Sequence, residues 1–502
     1  MGDVMERGSG ILCHLTSLPS RFGIGDMGPW AYRFADFLAE TKQRFWQCLP
    51  LNPTDLEYFN SPYHSNSAFA CNPFLISPEF LFQQGFLGQH HPEPLPQIDP
   101  MLVDYPAVVQ FKSGLFEEAY RQFKRYPRPE DFTRFCGEQN WWLDDFALFM
   151  ALKSHYGGKP WSSWPRELRD RDKRALRSAK LELQGAHEKQ EFLQYLFFKQ
   201  WFNLKSYCNR KRIQIIGDMP IYVVHDSAEV WVHPKLFHLD KDKVPSTVAG
   251  VPPDYFSETG QLWGNPVYRW DAAVDDGYDW WIRRFRHNLS LFDLVRVDHF
   301  RGFIAFWEIP ATEKTAVHGR WVPAPGKEFF QFLSVEFPRM PVIAEDLGII
   351  TKDVWEVMDH FGFPGMKVLL FAFGEGLPTN PYAPHNHVKN CVVYSGTHDN
   401  NTVKGWFENE ASQEDKRRLF QYLGRETVAA TVHLDFIRLA MMSVANTAII
   451  PMQDILGLGG EARMNQPARK PGNWRWRLEQ DQLSDRIRLQ IREMTEIYGR
   501  GT

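Results

Sequence analysis

Eight short apolar segments recur along this chain, and each is rich in branched or aromatic residues. They span residues 11–18, 45–53, 213–223, 292–300, 341–348, 366–373, 391–401 and 447–457. Near-continuous apolar runs of this length are typical of parallel strands that are buried on both faces. Amphipathic stretches lie between them, and WAYRFADFLAE at 30–40 is a clear example. Strands that alternate with helices predict right-handed βαβ units, and eight of these units predict a (β/α)8 barrel.

An open, doubly wound sheet is the competing fold for such a pattern. It would favour a glycine-rich phosphate loop after the first strand, but neither GxGxxG nor a Walker-type loop follows residues 11–18. In contrast, the apolar segments mostly end in polar clusters, and barrels collect functional side chains at the carboxyl ends of their strands. We therefore expect an α/β protein with a (β/α)8 TIM barrel, inserted and largely helical subdomains, and long loops over the C-terminal face.

The spacing of the segments predicts where the insertions lie. About 160 residues separate the second and third segments, which is too many for one crossover, so residues 70–210 are expected to form an inserted subdomain. Residues 224–291 form a second predicted insertion, and it carries VPPDYFSETGQLWGNPVY at 251–268. This stretch, with its Pro, Gly and aromatic residues, predicts an ordered substrate loop at 250–268. The whole chain, 1–502, is then a single catalytic barrel with two insertions.

Charge and composition exclude several classes of function. The chain has 57 Lys and Arg against 61 Asp and Glu, and this near balance argues against a nucleic-acid partner. No stretch approaches the ~18 apolar residues of a membrane span, and the start, MGDVMERGSG, lacks the features of a signal peptide. Six scattered cysteines form no metal motif, and LDKDKVPS at 239–246 lacks the Gly and Glu of a calcium loop. We expect a cytoplasmic protein without membrane association or a metal site.

The polar clusters at three of the strand ends are acidic. Arg296, Asp298 and His299 interrupt one apolar run, Glu345 ends the next, and Asp399 follows the run at 391–401. Taken alone, the first cluster could be a buried ion pair with a satisfied histidine. Three acidic strand ends around one barrel are harder to explain by a purely structural role, because clustered carboxylates raise one another's pKa. That cost is usual where acid–base chemistry is needed.

Two carboxyl groups that flank one bond are the requirement for glycoside chemistry. Arg296 would keep Asp298 ionised as a nucleophile, and Glu345 has no basic neighbour in sequence and is better suited to hold a proton. Asp399 could stabilise the cationic transition state or bind sugar hydroxyls. Aromatic residues make up 15% of the chain, and such rings stack on the apolar faces of sugars.

Several motifs resemble one enzyme family closely. RVDH, AEDLG and THDNN occur in the order of the catalytic motifs of the α-amylase clan. Within that clan the sequence is similar to the 4-α-glucanotransferases, or amylomaltases. The supporting stretches are SGILCHLTSLPSRFGIGDMG, SPYHSNSAFACNPFLI, IIGDMPIYV, GVPPDYFSETGQLWGNPVY, FRGF and RMNQPARKPGNWRWR, which run from residue 9 to 477.

The resemblance implies a role for each matching residue. It implies that Asp298 is the nucleophile, Glu345 the general acid/base and Asp399 the transition-state stabiliser. It also implies a set of substrate-binding residues: Tyr63, Asp218, Asp254, Trp263, Arg296, His299, His398 and Asn465. The family transfers a segment of an α-1,4-glucan or maltooligosaccharide to the 4-hydroxyl of glucose or another glucan. It does so through a covalent glycosyl-enzyme intermediate and needs no cofactor.

Two positions depart from the family pattern. Gly374 and Glu375 follow FAF where an acidic residue is common, and Asn401 replaces the last aspartate of THDND. Neither is one of the three implied catalytic residues. Two alternatives remain open: an α-1,4-glucan hydrolase with the same carboxylates, and a non-catalytic glucan-binding barrel.

Overall fold

The strands of this fold match the apolar segments of the sequence. The computed structural model describes residues 6–88, 92–96, 99–253, 257–467, 469 and 471–501. Each of the eight apolar segments overlaps a strand of this structure. The strands are β1 Gly8–Leu12, β2 Phe45–Gln47, β3 Gln214–Met219, β4 Thr247–Val251, β5 Gln261–Pro266, β6 Leu294–Val297, β7 Ala305–Pro310, β8 Arg320–Pro323, β9 Val342–Ala344, β10 Gly365–Val368, β11 Cys391–Tyr394 and β12 Thr447–Pro451.

Eight of these strands form the predicted (β/α)8 barrel. They pair in parallel in the order β10-β11-β12-β1-β2-β3-β6-β9. Most of their residues are buried on both faces, and so the sequence shows apolar runs rather than alternation. β9 and β10 meet at the remaining seam, where the backbone N–H of Ala344 donates to the carbonyl of Pro364 at 2.9 Å. The prediction of a TIM barrel is therefore confirmed.

Helices surround the barrel and fill the long segment between β2 and β3. They are α1 Pro29–Glu40, α2 Pro78–Gln83, α3 Tyr105–Phe123, α4 Glu130–His155, α5 Arg166–Arg169, α6 Lys173–Glu182, α7 Gln184–Arg210, α8 Ala228–Val232, α9 Trp270–Asp275, α10 Asp279–Leu291, α11 Gly326–Glu336, α12 Lys352–Phe361, α13 Val403–Asn409, α14 Gln413–Leu423, α15 Val432–Met442, α16 Met452–Ile455 and α17 Asp485–Ile497. None of the helices in the described ranges has both the length and the apolar character needed to cross a bilayer.

A buried lysine of α3 connects the helices between β2 and β3 to the loops of the barrel. Lys112 of α3 is fully buried and donates to Asp26 at 3.2 Å. It also donates to the carbonyl of Phe74 at 2.6 Å and to that of Ile76 at 3.0 Å. A buried ammonium group is tolerated only when it is paired in this way. This contact fixes α3 against the loops that follow β1 and β2.

A second, antiparallel sheet lies beside the barrel, with the strand order β5-β4-β7-β8. The sequence predicted an ordered loop at 250–268, but residues 261–266 form strand β5, paired with β4. Gly264 has a φ of 80°, and Pro266, which has no N–H to donate, ends this edge strand. These residues hid the strand, because Gly and Pro are the usual markers of loops.

Candidate active site

Three carboxylates meet at the carboxyl ends of the barrel strands. Asp298 directly follows β6, Glu345 directly follows β9, and Asp399 lies in the loop after β11. Because the strands are parallel, these three ends open on the same face of the barrel. Each carboxylate contacts a neighbouring residue: Asp298 contacts Arg296, Glu345 contacts the amide of His299, and Asp399 contacts His398. The structure therefore brings together the three acidic strand ends that the sequence singled out.

Arg296 is the central cation of this cluster. It is 3% exposed, and its Nη1 donates to both carboxylate oxygens of Asp218, at 2.8 and 2.7 Å. Its Nη2 lies 3.0 Å from Oδ1 of Asp298. The sequence paired Arg296 with Asp298 alone, and β3 adds Asp218 because it is the barrel neighbour of β6. One guanidinium group therefore holds two carboxylates of adjacent strands.

The pKa values of the two flanking carboxyl groups are both raised, and the main cause is burial. For Asp298, Asp218 adds to the rise in pKa and Arg296 opposes it. For Glu345, burial raises the pKa most, Arg296 lowers it, and the charge of Asp298 raises it. Because the Arg296 guanidinium contacts Asp298 directly, the negative charge is favoured on Asp298 and the proton on Glu345.

Backbone amides fix the orientation of the Glu345 carboxyl group. His299 N–H donates to its Oε2 at 2.7 Å, and Leu347 N–H donates to its Oε1 at 2.8 Å. His299 has a φ of 48°, which is uncommon for a residue with a Cβ. This strained conformation directs the amide of His299 toward Glu345, and strain of this kind concentrates at functional sites.

Asp399 is held in the ionised form by its neighbours. Its Oδ2 lies 3.3 Å from Nε2 of His398, and Nδ2 of Asn465 donates to its Oδ1 at 2.6 Å. Burial would raise the pKa of Asp399, but His398 and Asn465 outweigh that effect and the net pKa is lowered. The ionised form is therefore favoured for Asp399, whereas burial favours the protonated form of Glu345.

Arg463 is a site residue that the sequence reasoning missed. Its Nη2 donates to the carbonyl of Asp399 at 2.7 Å, and its Nε donates to the carbonyl of Asn465 at 2.7 Å. Its Nη1 lies 3.1 Å from Glu410, whose Oε1 also accepts from Nδ2 of Asn401 at 2.8 Å. The loop after β12 is thus clamped to the loop after β11. Only its place in the RMNQP motif could have indicated this residue.

A group of aromatic rings lies beside Asp218 and His398. The hydroxyl of Tyr63 donates to Oδ2 of Asp218 at 2.8 Å, and its ring stacks on His398 with centroids 5.1 Å apart. Trp474 lies 5.8 Å from Tyr63 and 6.0 Å from His398, measured between ring centroids. The sequence predicted Tyr63 and His398 but not Trp474, although Trp474 follows a Gly-Asn turn within a quoted motif.

Trp263 and His299 form a second pair of rings, next to the backbone amide that binds Glu345. Their rings meet edge to face with centroids 4.8 Å apart, and Trp263 also lies 6.1 Å from the ring of Tyr222. Nε2 of His299 is buried and has no hydrogen-bond partner among the described residues. Asp254, another predicted binding residue, lies outside the described residues.

Two other histidines are satisfied by their structural neighbours. His14, at the end of β1, accepts from Leu49 N–H at 3.2 Å, and burial lowers its pKa to about 3, so it stays neutral. His187 lies between Asp144 and Glu191, the one set of described residues close enough to share a metal ion. Lys180 already pairs with Asp144, and His187 contacts both carboxylates at 3.1 and 3.6 Å. Opposite charges are therefore matched within this group.

Comparison with known proteins assigns the chain to a family. Residues 13–483 match the family described as 4-alpha-glucanotransferase. The chain belongs to the 4-alpha-glucanotransferase family. A 4-alpha-glucanotransferase of Aquifex aeolicus is 49% identical over 98% of this chain and 99% of its own length. One of Thermus thermophilus is also 49% identical, over 98% of this chain and 99% of its own length.

One solved amylomaltase structure agrees with this assignment, and a second shows the same fold. The amylomaltase of Streptococcus agalactiae in complex with acarbose superposes with a TM-score of 0.95 at 41% identity, and covers 99% of this chain and 100% of its own. The amylomaltase of Corynebacterium glutamicum, at 17% identity, shares the fold with a TM-score of 0.79 over 97% of this chain and 75% of its own.

Family membership decides between the functions that the sequence left open. The protein is a retaining 4-alpha-glucanotransferase that works by glycosidase-type chemistry on α-1,4-glucans and maltooligosaccharides. Neither a non-catalytic binding barrel nor a simple hydrolase describes this family. The predicted enzyme class is confirmed.

Proposed function

We propose that Asp298 is the nucleophile, Glu345 the general acid/base and Asp399 the transition-state stabiliser of this transferase. In the first step an Asp298 oxygen attacks the anomeric carbon, the glycosidic bond breaks, and Glu345 gives its proton to the leaving oxygen. In the second step Glu345 takes the proton of the acceptor hydroxyl, and that oxygen displaces Asp298. The contact of Arg296 with Asp298 supports the assignment, because it favours charge on the nucleophile and leaves the proton on Glu345.

The donor side of the cleft is proposed to consist of residues around Asp399. Tyr63 offers a ring face, while Asp218, Arg296, His398 and Asn465 offer polar groups to sugar hydroxyls. Asp399 is an anion whose carboxylate is fixed by His398 and Asn465. A charge held in this way stabilises a developing oxocarbenium ion without having to reorganise.

The acceptor side is proposed to be formed by Trp263, His299 and Asp254, with glucose or a glucan 4-hydroxyl as acceptor. Trp263 is supported by its position in β5, next to the ring of His299, whose backbone amide binds Glu345. A ring at this place would stack on the acceptor sugar and displace water. Exclusion of water from the covalent intermediate favours transfer over hydrolysis.

We also propose that the chain consists of one barrel and two insertions. Residues 1–502 form one catalytic barrel, 70–210 an inserted subdomain, and 224–291 a second insertion that carries the substrate segment 250–268. The first insertion is supported by α3, α4 and α7, and the second by β4 and β5 beside the cleft. The enzyme is also proposed to be cytoplasmic and to act without nucleic-acid or membrane partners, and the near balance of 57 Lys and Arg against 61 Asp and Glu supports the lack of a nucleic-acid partner.

Incubation with maltotriose tests the transferase function. Transfer yields glucose and a ladder of longer oligosaccharides while the total number of reducing ends stays constant. Steadily rising reducing ends would instead identify a hydrolase. Asp298→Asn should lower turnover by about 10⁴-fold or more, because no oxygen anion remains to form the covalent bond. Undiminished turnover of that variant would rule out Asp298 as the nucleophile.

The acid role of Glu345 is tested by donors that differ in their leaving group. Glu345→Gln should slow transfer from maltotriose by about 10²–10⁴-fold. The loss in kcat/KM should be far smaller for maltotriosyl fluoride, because fluoride leaves without a proton. Equal losses for both donors would argue against Glu345 as the acid.

A further inference from the structure

The seam between β9 and β10 involves the strand that leads directly into Glu345, since β9 ends at Ala344. Next to the backbone bond from Ala344 to Pro364, a side chain takes the place of a carbonyl: Oδ1 of Asp346 accepts from Met366 N–H at 2.6 Å. Regular parallel ladders use only backbone groups. Asp346 is 6% exposed, so this bond is buried, and its loss would leave the amide of Met366 without an acceptor.

The seam is built to let Asp346 approach β10 closely. A Cβ at Gly365 would lie 2.6 Å from Oδ2 of Asp346, which is closer than such atoms approach in proteins. Only glycine therefore fits at position 365 while Asp346 stays in place. On the other side, Nζ of Lys367 lies 3.9 Å from the same Oδ2. Backbone, glycine and ammonium group together surround one carboxylate.

Asp346 lies between two residues that determine the geometry of the acid. Glu345 precedes it, and Leu347 follows it and donates its N–H to Oε1 of Glu345 at 2.8 Å. Because the side chain of Asp346 is attached to β10, the segment 345–347 cannot rotate without breaking that attachment. Met366 also contacts the cluster, since Nε of Arg296 lies 3.4 Å from its Sδ.

We propose that Asp346 is a positioning residue for Glu345: by closing the β9–β10 seam it holds the segment 345–347 so that the acid carboxyl faces the scissile bond. Asp346 does not touch substrate in this arrangement. Its effect passes through the amide of Leu347 and the backbone of Glu345. The proposal rests on the assignment of Glu345 as general acid/base in the proposed function. It adds a second, buried carboxylate on which that acid depends.

Removal of Asp346 should impair the step that needs a proton. In Asp346→Ala we expect kcat/KM for maltotriose to fall about 10–100-fold, since outer residues that orient a reacting group contribute effects of this order. For maltotriosyl fluoride, with glucose as acceptor in both assays, kcat/KM should fall no more than about threefold, because glycosylation by this donor needs no proton. A residue with a purely structural role would lower both values equally.

Three further variants complete the test. Asp346→Asn keeps an oxygen for Met366 N–H and should restore the maltotriose value to within about threefold of the parent. Lys367→Met removes the ion pair but not that bond, and should leave the ratio of the two donors unchanged. Gly365→Ala displaces Asp346 by steric contact and should reproduce the selective loss, which covers the case in which Asp346→Ala does not fold.

The outcomes separate this proposal from the assignment on which it rests. Equal losses on both donors in Asp346→Ala and Gly365→Ala, with the selective loss retained in Glu345→Gln, would overturn the positioning role of Asp346 alone. Equal losses on both donors in Glu345→Gln itself would overturn the acid assignment. Full activity of Asp346→Ala on maltotriose would also overturn the positioning role.

Discussion

Asn401 gives the sharpest test of how the Asp399 loop is held, because members of the family commonly carry aspartate there. Its Oδ1 accepts from Thr402 N–H at 2.9 Å, and its Nδ2 donates to Glu410 at 2.8 Å. Asn401→Asp replaces that donor by a second anionic oxygen. The group cannot turn away without giving up the bond to Thr402, so two carboxylates face each other next to Arg463.

The structure gives the size of the expected effect. Two unit charges about 4 Å apart repel by ~4 kcal/mol at an effective dielectric constant of ~20. The Glu410 side chain is 44% exposed and Arg463 lies 3.1 Å away, so screening should reduce the cost to about 1–2 kcal/mol. Arg463 also donates to the carbonyls of Asp399 and Asn465, so a shift of Arg463 would disturb the position of Asp399. A free-energy cost of about 1–2 kcal/mol corresponds to a loss of about 5–30-fold in kcat/KM.

A double-mutant cycle measures this coupling. The maltotriose kcat/KM is determined at neutral pH for the parent, Asn401→Asp, Glu410→Gln and the double variant. Glu410→Gln should restore most of the activity lost in Asn401→Asp, because it replaces the repelling oxygen by a neutral amide. An unchanged Asn401→Asp enzyme, or a loss that persists in the double variant, would refute the reasoning.

Three further predictions concern the cleft itself. Tyr63→Phe removes a hydroxyl bonded to Asp218 at 2.8 Å and should lower kcat/KM about 5–30-fold, a cost of about 1–2 kcal/mol, with little change in thermal stability. Trp263→Ala should raise the KM for glucose as acceptor and the share of hydrolysis, both measured by product analysis; unchanged values would exclude the stacking role. The kcat/KM profile for maltotriose should be bell-shaped, falling at acid pH as Asp298 is protonated and at alkaline pH as Glu345 loses its proton. Burial raises both pKa values, so both limbs should lie above the pH range in which free carboxylic acids titrate, and a profile without an alkaline limb would contradict the acid role.

The barrel was predictable because its strands are buried on both faces. Such strands appear in sequence as apolar runs, and each of the eight runs overlaps a strand. The flanking residues of helix α12 are also of the types that favour helix ends: Thr351 precedes the helix, and Gly362, with a φ of 72°, follows it. Local chemistry determines both features. The strand β5 was missed because its Gly and Pro indicated a loop, whereas pairing with β4 determines its conformation.

The partners within the site were less predictable than its members. Asp298 and Arg296 are close in sequence and were paired correctly, but Asp218 joins them from a strand 78 positions away. Arg463 and Trp474 reach the cluster from the loop after β12, and their contacts depend on how the ends of the barrel meet. A sequence shows which residue types are available, while distances between strand ends arise only from the closed barrel.

The contact of Arg296 with both Asp218 and Asp298 has a consequence for the order of events during turnover. In the free enzyme one guanidinium faces two anions, Asp218 and Asp298, and this pocket carries an excess negative charge. On the proposed mechanism, attachment of sugar to Asp298 turns that anion into a neutral ester, so Arg296 is then balanced by Asp218 alone. One of the two causes that raise the pKa of Glu345, the charge of Asp298, disappears at that moment, while burial remains. The pKa of Glu345 therefore falls, and its carboxylate stays ionised when the acceptor hydroxyl must lose its proton. Cleavage of the ester restores the charge of Asp298 and raises the pKa of Glu345 again.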